Sequence, residues 1–249
     1  SNIVLFNSTQ RVSTVYCFPY AGGGPSVFYP LSKQLDGFLN VAAINFPGKG
    51  ASIAVPPLQS MSELVEFAFS ELEADGAFSG SYYLLGYSLG SKVVAMLLEK
   101  IRSLGLRLPE TVFFCASTSP EHAVLRESSK LMTDNEFLEL LRNMGGTPRE
   151  LLDNREIMDI YLPAIRADFK ISDEFINEAP KNPYDVNVVV LYGTQDAYLT
   201  EKLITSWAKY SQTPILIKSV DEGHFFINTR PDLIEDVIRL SIEGRKNVL

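Results

Sequence analysis

The chain has little of what several protein classes require. Its 249 residues include two cysteines, two histidines and one tryptophan. Cys17 and Cys115 each lie in an apolar, strand-like run. That is the setting of buried reduced thiols, so neither a disulfide framework nor a zinc site is indicated. Acidic residues outnumber basic ones, 30 against 22, for a formal net charge of −8. Such a balance argues against a general nucleic-acid binder. No apolar run approaches the ~20 residues that cross a bilayer, so no membrane association is expected. The N-terminus lacks a basic region followed by a long apolar stretch, which argues against a secretory signal. A cytoplasmic location is expected, with Ser1 reading as a processed or altered start. Neither G-x-x-x-x-G-K-[ST] nor G-x-G-x-x-G occurs, which disfavours a nucleotide site. No cofactor and no metal is expected.

What is present is a rhythm of apolar runs and helical patterns. Strand-like runs fall at Val12–Phe18, Leu39–Phe46, Tyr82–Leu85, Thr111–Ala116, Val186–Tyr192 and Ile215–Val220, with Ile3–Phe6 as a further edge strand. Most are continuously apolar, as expected of parallel strands covered on both faces. Helical patterns lie between them, at Val27–Leu35, Leu89–Ser103, Thr200–Tyr210 and Pro231–Ile242. Another follows Ser60-Met61-Ser62-Glu63, a capping-box signature. This alternation predicts a doubly wound α/β fold with right-handed crossovers. The length suits one domain over 1–249. The stretch from Pro120 to about Pro183 breaks the rhythm, with helical patterns around Asp134–Met144 and Arg155–Phe169 and no convincing strand. Some 60 residues exceed a plain crossover, so 120–183 is expected to be an inserted helical lid.

Gly86-Tyr87-Ser88-Leu89-Gly90 matches G-x-S-x-G and stands between a strand-like and a helix-like segment. In that context the motif is a nucleophile elbow, a sharp turn that lifts a serine hydroxyl off the sheet edge. Ser88 is therefore the candidate nucleophile. A serine needs a base. His224, in Gly223-His224-Phe225-Phe226 after the last strand, stands where the order Ser…Asp…His places one. His122 has no such context. Asp196, after the strand ending near Tyr192, is the leading candidate for the orienting carboxylate, with Glu121 and Asp221 as competitors. The oxyanion requires two backbone N–H donors. The amide of Leu89 is one candidate. The glycine-rich turn Phe18-Pro19-Tyr20-Ala21-Gly22-Gly23-Gly24 offers the other, at Ala21 or alternatively Tyr20. Tyr20 and Tyr87 are expected to touch substrate.

Several segments together resemble the type II thioesterases, the stand-alone editing hydrolases of polyketide and nonribosomal peptide assembly lines. They are Phe18-Pro19-Tyr20-Ala21-Gly22-Gly23, Phe46-Pro47-Gly48-Lys49-Gly50, the elbow, and Gly223-His224-Phe225-Phe226. The inserted region adds Asp134–Leu138, Gly145-Gly146-Thr147-Pro148 and Leu162–Phe169. The resemblance covers nearly the whole chain and implies an α/β-hydrolase fold, with Ser88, Asp196 and His224 as triad and Ala21 and Leu89 as oxyanion donors. It also implies thioester hydrolysis on the phosphopantetheine arm of an acyl or peptidyl carrier protein. The family often has histidine where Tyr87 stands, and histidine or arginine where Lys49 stands. Acyl-chain preference is what those departures bear on. Carrier proteins of such systems are usually acidic, so Arg142, Arg149, Arg155, Arg166 and Lys170 on the lid form a candidate docking patch. A free-standing monomer is expected. The residues alone leave open a small-molecule carboxylesterase or lipase with the same triad, a non-catalytic binding subunit, or a pathway-terminating thioesterase.

Overall fold

A computed structural model describes residues 1–124 and 126–246. Seven strands form one sheet in the order β1-β3-β2-β4-β5-β6-β7. They are β1 (Ile3–Leu5), β2 (Thr14–Phe18), β3 (Asn40–Ile44), β4 (Tyr82–Tyr87), β5 (Thr111–Cys115), β6 (Asn187–Gly193) and β7 (Leu216–Val220). Only β1 runs antiparallel, paired with β3 at the edge. Helices α1 (Tyr29–Gln34), α2 (Met61–Ala74), α3 (Leu89–Ser103) and α9 (Pro231–Lys246) cover the sheet. The expected α/β-hydrolase architecture is present.

Residue alternation explains why the strands read as unbroken apolar runs. Tyr16, Phe18, Leu84, Val112, Phe114, Val188 and Val190 point into one core, together with α2, α3 and Trp207. Their strand neighbours Val15, Cys17, Leu85, Phe113, Cys115, Val189 and Leu191 point into the other, with residues of α1 and α9. In the central strands both faces are covered, so both are largely apolar, whereas β7 at the edge exposes Lys218 and Ser219. Trp207 stacks on Phe114 with ring centroids 3.7 Å apart and donates from Nε1 to the Ser117 carbonyl. It is core, as its helical context suggests.

Local chemistry sets the helix boundaries. Ser60 accepts from the Glu63 amide while the Glu63 carboxylate accepts from the Ser60 amide, completing the expected capping box at α2. The segment between β5 and β6 folds into α4 (Asp134–Met144), α5 (Arg149–Leu152) and α6 (Arg155–Glu174). Thr133 and Glu136 cap α4 in the same reciprocal way, and Gly145 ends it in the left-handed region. The helix expected to end at Phe169 runs five residues further, to Glu174. Ile171 and Ser172, both buried, give that last turn contacts that local patterning does not reveal.

The inserted helices have an apolar cluster of their own, built on Phe137, Leu141, Leu152, Met158, Leu162, Ile165 and Phe169. The two ends of the insertion meet where the Asn177 amide donates to the Pro120 carbonyl, at 2.9 Å. Two short pieces escape the sequence patterns, α5 and α8 (Phe226–Thr229), each of four residues. A single turn is too short to show a period. α7 (Glu201–Thr205) continues into a 3-10 turn at Ser206–Tyr210, so the expected helix at 200–210 is present but changes hydrogen-bond pitch midway.

Candidate active site

β4 ends at Tyr87 and α3 begins at Leu89, so Ser88 alone makes the turn. Its backbone adopts φ 53° and ψ −116°, in a region side chains other than glycine rarely occupy. The turn is held on both sides. The Ser88 amide donates to the Cys115 carbonyl of β5 at 2.7 Å, and the Ser91 hydroxyl donates to the Gly86 carbonyl at 2.8 Å. The flanking glycines serve different contacts. A Cβ on Gly86 would lie 2.4 Å from Ser91 Cα, so strand and helix touch there. A Cβ on Gly90 would lie 2.1 Å from the Phe18 carbonyl oxygen, so that glycine lets α3 approach the end of β2.

The His224 and Asp196 loops are brought together by the C-terminal ends of β6 and β7. The Thr194 amide donates to Val220 O at 2.8 Å, and the Gln195 amide to Glu222 O at 3.0 Å. Gly193 fits there because a Cβ would lie 2.3 Å from Glu222 O. The result is a continuous chain. Ser88 Oγ lies 3.1 Å from His224 Nε2, and His224 Nδ1 lies 2.5 Å from Asp196 Oδ2. Asp196 is buried, and its second oxygen accepts from the Tyr198 amide at 3.0 Å. A carboxylate there fixes the imidazole with Nδ1 protonated, leaving Nε2 free to accept the serine proton.

The competing carboxylates point elsewhere. Asp221 accepts from Thr194 Oγ1 and Gln195 Nε2, and Glu121 pairs with Lys209 at 3.4 Å. His122 is half-buried at the start of the insertion, and no contact links it to Ser88. Ser88, Leu89, Ala21 and His224 line one narrow cavity. Counting space open to solvent, the empty volume there is about 550 Å³. In the glycine-rich turn, the Gly23 amide is spent on Tyr20 O and the Gly22 amide on Asp168 Oδ2.

Comparison with known proteins agrees with this geometry. A family model described as Thioesterase domain matches residues 13–241. This chain belongs to the thioesterase family. Among curated proteins, the thioesterase is 27% identical to the gramicidin S biosynthesis protein GrsT of Aneurinibacillus migulanus, over 92% of this chain and 88% of that one. It is 28% identical to thioesterase PikA5 of Streptomyces venezuelae, over 89% and 77% of the two chains. Among solved structures, RedJ, a thioesterase from the prodiginine pathway of Streptomyces coelicolor, superposes with a TM-score of 0.82. That match has 25% identity and covers 90% and 84% of the two chains. The resemblance to type II thioesterases of polyketide and nonribosomal peptide assembly, and the enzyme class it implies, are borne out.

Tyr87 requires a correction. Expected to touch substrate, its side chain is fully buried. Its hydroxyl donates to the His224 carbonyl at 2.6 Å and accepts from the Ile227 amide at 3.3 Å. Burial pushes its pKa well up, so it stays a neutral donor that braces the histidine loop. Tyr20 also sits beside the cavity rather than in it. It lines a neighbouring groove with Gly22 to Val27 and Gly145 to Pro148. Its ring packs edge-on against Phe225, 4.9 Å between centroids, and its hydroxyl accepts from Asn228 at 3.2 Å.

Residues of the insertion that sequence patterns left unassigned reach the thioesterase's site. Asp168, on α6, accepts from the Gly22 amide at 2.7 Å and pairs with Lys49 Nζ at 2.6 Å. Both side chains are buried, so one carboxylate ties the insertion to the glycine-rich turn and to the Pro47-Gly48-Lys49 loop. Gly146 packs on the residue after the histidine, since a Cβ there would lie 2.4 Å from the Phe225 ring. Both lie inside segments that carried the family resemblance. Their role is a long-range contact that no local pattern announces.

Lys92, on α3, is buried in the cavity wall, and its Nζ has no hydrogen-bond partner among the described residues. Burial pulls its pKa down to about 8, with Arg126 pushing the same way and Asp173 opposing. Cys17 and Cys115 are free and fully buried, and burial raises both thiol pKa values. The expected docking patch is divided. Arg142 is paired with Glu139 and Asp153, and Arg166 with Asp134. Arg149, Arg155 and Lys170 are exposed.

Two outcomes follow from the buried charges. Asp168→Asn leaves the Lys49 ammonium buried beside a neutral group, so unfolding free energy should fall by about 3 kcal/mol. Adding Lys49→Met should recover most of that loss. Urea denaturation of the single and double variants checks it, and an additive double variant would refute the coupling. Lys92 carries the opposite sign from a stabilising ion pair. Its folded-state pKa lies below the ordinary lysine value near 10.4, so the unfolded chain binds more protons between these limits. The penalty is full below pH 8 and vanishes as pH rises past about 10.4. Lys92→Met should therefore be more stable than wild type at pH 7, by on the order of 3 kcal/mol. The gain should shrink across that window, and denaturation curves at pH 7, 9 and 10.5 that differ by a constant amount would contradict the assignment.

Proposed function

We propose that Ser88, His224 and Asp196 act as a catalytic triad that hydrolyses acyl thioesters carried on the phosphopantetheine arm of acyl or peptidyl carrier proteins. The hydrogen-bonded chain from Ser88 Oγ through His224 to Asp196, at one cavity, is the observation that carries the reading. In the first half-reaction His224 Nε2 takes the serine proton as Oγ attacks the thioester carbonyl. Asp196 holds the imidazolium that forms. The carbon becomes tetrahedral and its oxygen negative. The amides of Leu89, at the N-terminus of α3, and of Ala21 stabilise that oxyanion. Collapse expels the thiolate, which accepts the proton from His224 and leaves an acyl-serine. Thiols ionise near pH 8.5, so the leaving group needs less help than an amine. Water then enters, His224 takes its proton, and a second tetrahedral collapse returns the proton to Ser88 and frees the acid.

In this reading the chain is one α/β-hydrolase domain over 1–249, and 120–183 is its lid. Support comes from the cavity wall, where Ala123, Met144, Phe169 and Ser172 of the insertion face Ser88 and Leu89 of the core. The name of GrsT ties one relative to gramicidin S biosynthesis, and PikA5 is named a thioesterase, which favours a carrier-bound thioester over a free ester. The removed groups are stalled or aberrant acyl chains, and the setting is the cytoplasm, in keeping with two unpaired buried thiols. The carrier docks on the exposed cations Arg149, Arg155 and Lys170, so that charges of opposite sign meet.

Ser88→Ala should abolish thioester hydrolysis with the fold intact by circular dichroism, and substantial turnover by that variant would end the mechanism. In the same assay the wild-type enzyme should cleave an acyl-carrier thioester faster than the oxygen ester of the same acyl chain. The reverse preference would favour a small-molecule esterase. Reversing Arg149, Arg155 and Lys170 together to glutamate should weaken carrier affinity about tenfold or more while sparing turnover of a small thioester. An unchanged affinity removes the docking surface.

A further inference from the structure

Two charged side chains that line the Ser88 cavity, Lys92 and Arg126, take no part in the hydrolysis described above. Lys92 stands four residues after Ser88 on α3. Side chains four apart in a helix share a face and lean toward the N-terminus, so the Lys92 stem runs back toward the nucleophile. It lines the same cavity as Ser88 and His224 and is only 3% exposed. Its Nζ, with three donors, meets no acceptor among the described residues.

The neighbouring charges do not compensate it. Arg126 lines the cavity too, but it is ion-paired with Asp173, and its guanidinium lies over the Phe169 ring at 4.7 Å. The other Asp173 oxygen accepts from the Ser129 amide at 2.9 Å and from its hydroxyl at 2.6 Å. Asp173 thus gives one oxygen to Ser129 and the other to the Arg126 ion pair, where it makes no hydrogen bond of its own. Two buried cations face one carboxylate, so one positive charge in the wall has no counterion of its own among the described residues. Buried charges are ordinarily paired because desolvation is costly. Methionine or leucine would fill the same space without that penalty. A ligand carboxylate would supply both the missing charge and the missing acceptor. The hydroxyls of Ser117, Thr118 and Ser172 keep the same wall polar.

We propose that Lys92 binds a carboxylate on the acyl chain, so that the enzyme prefers short carboxyacyl thioesters to uncharged acyl thioesters of equal length. Because Lys92 and Ser88 line one cavity, the acid group belongs on a short acyl chain held at Ser88. Lys92 is in this sense a specificity-determining residue, and the assignment rests on the thioesterase reading of Ser88.

The test compares succinyl, succinamoyl and butyryl thioesters of pantetheine, which match in length and differ in charge and polarity. For wild type, kcat/KM for the succinyl compound should exceed that for both others by about tenfold or more. In Lys92→Met the succinyl-to-butyryl ratio should fall by about tenfold or more, whichever substrate moves. In Ser88→Ala, where chemistry is blocked, calorimetric affinity for the succinyl compound should exceed that for the butyryl one. Equal turnover of succinamoyl and succinyl compounds, a wild-type preference for butyryl, or an unchanged ratio in Lys92→Met each overturns the proposal. Wild-type turnover of the butyryl thioester without preference sinks this inference alone. No turnover of any of the three sinks the thioesterase reading with it.

Discussion

The backbone of Ser88 is held at φ 53° and ψ −116°, and much of the architecture is arranged to keep it there. A non-glycine residue in such a region costs on the order of 1–3 kcal/mol and persists only where its surroundings over-determine it. The determinants are visible. β5 takes the Ser88 amide, Ser91 ties the first turn of α3 back to β4, and Gly86 and Gly90 let backbone meet backbone where a Cβ would collide. A central strand pair, β4 with β5, is thereby committed to a single residue's geometry. The strain is placed at the end of β4, the middle strand of the sheet.

The rest of the site is assembled by loops that reach Ser88 from distant parts of the chain and are locked to one another. Thr194 and Gln195 hydrogen-bond across to the β7 end, Tyr87 holds the His224 carbonyl, and Phe225 fills the space that Gly146 leaves. The inserted helices are consequently no loose cap. Asp168 grips the glycine-rich turn and Lys49 together, so movement of α6 would disturb the turn that carries Ala21. In the proposed mechanism, the placing of the Ala21 amide would thus depend on an ion pair formed by the insertion.

The cavity wall opposes stability to recognition. Most of the interior is apolar or hydrogen-bonded, yet Lys92 is buried without an acceptor among the described residues, beside an Arg126–Asp173 ion pair. Proteins keep such groups at sites where a ligand completes the interaction. The same uncompensated ammonium accounts for a local instability in the free enzyme and for a preference among acyl groups.

Periodicity and chain order were enough to read the alternating strands and helices, the elbow, and the order Ser88, Asp196, His224, because these depend on short-range patterning and topology. The capping box at Ser60 and the helix at Asp134–Met144 were legible for the same reason. Chain order favoured Asp196 over Asp221, but only the structure shows the contact. Both acids lie near the strand ends, and only the pairing of the two loops shows which carboxylate meets the imidazole. Tyr87 read as a substrate contact from its place beside the nucleophile, but strand alternation turns its ring into the core on the far side. Asp168, Gly146 and Lys92 act through contacts with residues far away in sequence or through a partner that is missing. The sequence by itself pointed to the chemistry, since a serine, a base and an acid in that order on this fold are the groups proposed for acyl transfer. Tertiary structure alone decided which charges are buried and uncompensated, because desolvation belongs to the packed surroundings and not to any residue's neighbours along the chain.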